Sequence, residues 1–119
     1  MPAGSSSMTD EAKKLLFDVL TACEAIQTFV AGKSLVGYQQ DELLRSAIER
    51  KFEIIGEALS RLGRRAPEMA QRISDVPAII AFRNRITHGY DAIDDLVVWD
   101  IVQQKVPRLR SEISLLLNA

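Results

Sequence analysis

The 119-residue sequence predicts an all-α protein, an up-and-down bundle of four main helices plus a short helical turn. Three observations point there. Apolar residues recur three and four apart over long stretches, the spacing that gathers them on one face of a helix. Valine and isoleucine do not alternate with polar residues over long runs, so nothing supplies a strand pattern. Proline and glycine are sparse, at four and six residues.

The opening residues MPAGSSS carry no periodicity and read as a tail. Residues 1–8 are set aside as flexible, with Met8 as an alternative beginning, and 9–119 are expected to form one domain. The first helix starts near Thr9, with Thr9 or Asp10 as its cap. Its stripe is Ala12, Leu15, Leu16, Val19, Leu20, Cys23, Ile26 and Val30, and Gly32 is expected to end it. Lys33 to Gln40 reads as a loop. The second helix runs from about Asp41 to Leu62, burying Leu44, Ala47, Ile48, Ile55, Ala58, Leu59 and Leu62, with Gly63 as its stop. Gly56 stands mid-helix, at a cost of roughly 1 kcal/mol relative to alanine, and marks a close approach of another helix.

Pro67 can open a short turn through Arg72. Asp75 is expected to cap a third long helix with Pro77 in its first turn and Val76, Ile79, Ile80 and Ile86 as its apolar members. Gly89 would be its C′ residue, leaving His88 at or near the end. The last helix begins around Asp94. Trp99, Val102, Val106, Leu109, Ile113 and Leu116 form a seam suited to a bundle core or a dimer contact, and Pro107 predicts a kink.

Composition bounds the function. A net charge of −1 argues against coating nucleic acid by bulk electrostatics, although a local basic cleft would still suffice to cut it. The single cysteine, Cys23, cannot form an intrachain disulfide and falls on an apolar face, as expected in a reducing cytoplasm. No apolar run is long enough to span a membrane, and the N-terminus lacks a signal-peptide pattern. No metal set of the usual His and Cys spacing and no glycine-rich phosphate loop occurs, so neither metal nor cofactor is expected.

The remaining chemistry concentrates in Arg83-Asn84-Arg85-Ile86-Thr87-His88-Gly89-Tyr90, which holds the only histidine. On a helix Asn84 and His88 share a face. Arg83 and His88 are separated by roughly 140°, so they converge only if the helix tightens or ends, or if a second subunit completes the site. The residue types suit phosphodiester cleavage. Arginine grips a phosphate through a bidentate fork and stabilises transition-state charge. Histidine exchanges protons near neutral pH. RNA brings its own 2′-hydroxyl nucleophile, so deprotonating it and protonating the leaving oxygen breaks the chain without metal. A two-fold dimer would bring two copies of His88 to one cleft, one as acid and one as base. The bland alternatives stand beside this: His88 as a C-terminal cap, Arg83 and Arg85 as a solvated face, Tyr90 as packing.

The same run resembles the Arg-x4-His-x-Tyr motif of HEPN proteins of the HepT type. Arg83, Asn84 and His88 match the superfamily motif, and Tyr90 matches the HepT extension. Glu49 to Ala58, with its Ile-Gly-Glu-Ala run, is similar to the family's second helix, and the end with Trp99, Pro107 and Leu109 is similar to its last. The resemblance covers nearly all of the chain after the tail. It implies a HEPN fold and a homodimer whose two motifs face one cleft. The implied activity is that of a toxin in a toxin–antitoxin pair, a metal-independent ribonuclease with tRNA among the family's targets. It also implies a partner antitoxin, the minimal nucleotidyltransferase MntA, which silences the toxin by transferring AMP from ATP to Tyr90.

On that reading Arg83 binds the scissile phosphate, His88 is the acid and base, Asn84 positions either, and Arg85 adds a phosphate contact. Glu53 and Glu57, four apart on the second helix, are expected either to pair with Arg50 and Arg61 or to orient Arg83 or His88 from behind. The competing expectation is a non-catalytic dimeric module that docks a nucleotidyltransferase or a nucleotide.

Overall fold

A computed structural model of the chain describes residues 8–88 and 94–119. Among these residues there are seven helices and no strand: α1 Asp10–Val30, α2 Leu35–Gln39, α3 Glu42–Arg65, α4 Pro67–Ala70, α5 Val76–His88, α6 Asp95–Gln104 and α7 Val106–Leu117. The all-α expectation holds, with four long segments carrying the bundle. α1 packs on α3 and α7, and α5 packs on α3.

The expected apolar stripes form the core. Leu16, Val19, Cys23 and Ile26 of α1, Ile48, Ile55, Leu59 and Leu62 of α3, and Val102, Val106, Leu109 and Ile113 of the last two helices are all buried. Burying such side chains contributes about 1.5–3 kcal/mol each, before the entropy of ordering them is set against it. Aromatic rings complete the packing between helices. Phe52 of α3 and Phe82 of α5 meet edge-to-face, their centroids 5.1 Å apart. Tyr38 of α2 lies against Trp99 of α6 at 5.6 Å.

Thr9 caps α1, its side chain accepting from the Ala12 amide at 3.0 Å. Gly32, beyond the end of α1, takes the left-handed φ of 74° that suits glycine.

Four boundaries differ from the sequence expectations. Lys33 to Gln40 is not a loop throughout: Ser34 caps the five-residue α2 by accepting from the Gly37 amide at 3.1 Å, and Tyr38 is buried. So short a helix shows no periodicity to detect. Gly63 does not end the second long helix, because α3 continues to Arg65. The stop is Pro67, whose ring disfavours helical backbone at Ala66, found at φ −145° and ψ 68°. The turn opened by Pro67 is α4, which ends at Ala70 rather than Arg72.

The last expected helix is two helices rather than one kinked helix. α6 stops at Gln104 and α7 restarts at Val106, with Pro107 in its first turn. A proline cannot donate to the carbonyl four residues back and its ring crowds it, so the helix breaks before that point. Asp94 caps α6 as expected, accepting from the Leu96 amide at 2.9 Å.

Asp75 precedes α5 as expected, and its carbonyl accepts from the Ile79 amide. Its carboxylate is committed elsewhere, to Lys105 at 3.2 Å and Arg108 at 3.8 Å, and its φ is +63°. Aspartate tolerates that left-handed conformation better than most side chains. Next to it, Glu112 of α7 accepts from both the amide and the hydroxyl of Ser74, at 2.9 and 2.7 Å. These contacts tie the start of α5 to α7 and so direct the helix that carries the motif.

Candidate functional site

Arg83 to His88 lie on α5, and α3 is the helix on which α5 packs. Gly56 of α3 faces Arg83. A Cβ built on Gly56 would stand 2.4 Å from both Cβ and Cγ of Arg83 and 2.9 Å from its Nε. The apolar stem of Arg83 therefore lies across bare α3 backbone, and only 18% of its side chain is exposed. Its Nη1 reaches Glu57 Oε1 at 3.5 Å. Its Nε is buried and, among the described residues, has no hydrogen-bond partner. Glu57 is itself held at its other oxygen, which accepts from Arg61 Nε at 3.1 Å.

Of the two acids expected behind the motif, Glu57 is the one beside Arg83. Glu53 turns to Arg50 Nη1 at 3.4 Å. It lines a groove of about 190 Å³ between α1 and α3, with Asp18, Arg50, Glu57 and Arg61. Asn84 and Arg85 are exposed on α5, turned away from the core. His88 is the last described residue of α5. Gly89, expected as the C′ residue, and Tyr90 lie outside the described residues.

A second polar cluster joins α2, α3 and α6. Arg45 donates through Nη1 to the carbonyls of Tyr38 and Gln39. Burial holds the Glu49 carboxyl above its ordinary range, Asp95 and Glu53 push it the same way, and Arg45 opposes them. Burial, with Glu49 and Asp95, likewise raises the Tyr38 hydroxyl, which is buried and has no hydrogen-bond partner among the described residues. Glu49 stands two turns before Gly56 on α3, on the same face. Periodicity gives no sign of this cluster, since its members come from three separate helices.

Cys23 is excluded as a nucleophile. Burial pushes its thiol up to about 12, with Arg110 and Glu24 acting in opposite senses and more weakly, so the reactive thiolate is not populated near neutral pH.

The family described as "Ribonuclease HepT-like" matches residues 19–116, from within α1 to the last turn of α7. The chain belongs to this family. Among its relatives is "Putative RNase MJ1380" of Methanocaldococcus jannaschii, 26% identical over 107 residues, covering 88% of this chain and 95% of that one. "Putative RNase TTE0752" of Caldanaerobacter subterraneus is 29% identical, covering 84% and 88% of the two chains. "Probable ribonuclease HepT" of Thermococcus cleftensis is 28% identical, covering 84% and 90%. No solved structure matches the chain. Membership bears out the HEPN resemblance drawn from the Arg83 to Tyr90 run. No helix among the described residues is long and apolar enough to cross a membrane.

Proposed function

We propose that this chain is the toxin of a toxin–antitoxin pair, a metal-independent endoribonuclease of the cytoplasm that works as a homodimer. The observation that carries the reading is the placement of Arg83. An arginine is held with its stem against α3 and its Nη1 beside Glu57, on the same helix as the single histidine, in a chain of the HepT-like family.

Each role follows from side-chain chemistry. Arg83 binds the scissile phosphate and offsets the charge that gathers on its oxygens as the 2′-oxygen attacks. Glu57 holds the guanidinium in orientation from the side away from substrate. One His88 takes the 2′-hydroxyl proton, and the partner subunit's copy protonates the leaving 5′-oxygen. Asn84 positions the phosphate or His88, and exposed Arg85 contacts a neighbouring phosphate. RNA, with tRNA among the candidates, is the substrate.

Regulation rests on Tyr90. Its hydroxyl oxygen attacks the α-phosphorus of ATP in the active site of a minimal nucleotidyltransferase, pyrophosphate leaves, and AMP remains on the tyrosine. A phosphate and a base two residues from His88 then repel and obstruct the RNA backbone.

The test is RNA cleavage and intact mass of protein produced with and without a cognate minimal nucleotidyltransferase, alongside His88→Ala and Tyr90→Phe. The expected result is cleavage by unmodified protein, none by His88→Ala, and an AMP-sized mass increase only when Tyr90 is present. Absence of cleavage from every form would withdraw the enzyme reading in favour of a docking module.

A further inference from the structure

We infer that Gly56 is a positioning residue for Arg83: the missing side chain at position 56 opens a slot across α3 whose walls decide where the guanidinium stands. What the guanidinium does there rests on the ribonuclease reading above; the geometry that places it does not.

A glycine inside a helix is unfavourable unless something needs the space. α3 contains two, and they differ. A Cβ at Gly63 would meet nothing within 4 Å, whereas one at Gly56 would lie 2.4 Å from two carbons of Arg83. Those carbons, Cβ and Cγ, are the near end of the side chain, fixed to the α5 backbone. They cannot swing aside as a guanidinium tip could. Carbon atoms pack at about 3.5–4.0 Å, so a methyl group at position 56 would force α5 away from α3 by about 1 Å.

The hydrogen bonding of Arg83 agrees with placement by shape. Its Nε is buried and has no partner among the described residues, where its one polar contact is the 3.5 Å approach to Glu57. A buried N–H left unmade opposes folding, so the slot and the pairing of Phe82 with Phe52 hold the arginine in spite of its hydrogen bonding. A guanidinium so held keeps the rest of its donor edge for a phosphate.

The experiment compares wild type, Gly56→Ala, Arg83→Gly and the double variant by thermal unfolding, by RNA cleavage with kcat and KM separated, and by the NMR signal of the Arg83 Nε–H. With Arg83 present, Gly56→Ala is expected to lower Tm by about 5 °C. In the Arg83→Gly background the same change should raise Tm, because the clash is gone and alanine's helix preference remains. Gly56→Ala should also shift the Nε–H signal and lower kcat by about 100-fold, the scale expected of a 1 Å misplacement.

Equal Tm changes in both backgrounds, or wild-type kcat with an unmoved Nε–H signal, would overturn the inference. Should Gly56→Ala alone fail to fold, recovery of folding in the double variant supports the inference and failure to recover overturns it. Wild-type protein that cuts no RNA but shows the stability and NMR pattern would remove the ribonuclease reading while supporting the placement.

Discussion

Glu57 on α3 stands between two arginines, with Oε1 at 3.5 Å from Arg83 Nη1 and Oε2 at 3.1 Å from Arg61 Nε. Half of the Glu57 side chain is exposed, so neither pair contributes much to stability; exposed ion pairs are worth up to about 1 kcal/mol. The relationship matters for orientation. Glu57→Gln keeps the shape and removes the charge. RNA cleavage should fall by about 10-fold, a loss of roughly 1.4 kcal/mol of transition-state stabilisation, with Tm nearly unchanged. Normal activity together with normal Tm would assign Glu57 to the surface alone.

Glu49 predicts a pH-dependent stability. Burial above all, then Asp95, holds its carboxyl higher in the folded protein than in the unfolded chain. Folding therefore favours the protonated form. That contribution is fully present below the unfolded carboxylate pKa of about 4.3 and is lost as pH rises through the higher folded value. A glutamine side chain at this position cannot ionise. Thermal unfolding should therefore show Glu49→Gln more stable than wild type at pH 7, with the gap closing as the pH falls towards about 4. A gap independent of pH would place the effect in packing.

Glu112 should matter more to stability than any exposed ion pair. It accepts two hydrogen bonds from Ser74, at the turn where Asp75 takes its left-handed conformation. Hydrogen bonds to a charged group are stronger than neutral ones, and Glu112→Ala leaves the Ser74 amide without its partner. Urea unfolding should show a loss of about 2 kcal/mol. Because these bonds tie the start of α5 to α7, cleavage should weaken as well. Retained stability would show that α3 alone directs α5.

Most of the core is legible in the sequence because helical periodicity reports burial directly: Leu16, Val19, Leu59, Leu109 and Ile113 are all where spacing puts them. Phe52 and Phe82 are absent from the expected stripes although each falls in register with its buried neighbours; Phe82 lies three residues after Ile79. The boundaries are less legible because each glycine or proline has several local uses. Gly63 is tolerated inside α3, whereas Pro67 stops it through its effect on Ala66.

The sequence by itself determined an all-α chain, its buried stripes, and the gathering of Arg83, Asn84, Arg85 and His88 on one helix, since these depend on spacing along the chain. Gly56 signalled a close helix approach, but only tertiary structure decided that Arg83 fills the space. The same is true of the choice of Glu57 over Glu53 as its neighbour, of the Ser74–Glu112 tie, and of the Tyr38, Arg45, Glu49 and Asp95 cluster. Those contacts join residues from different helices, and periodicity along one helix carries no information about which face of another will meet it or in what register.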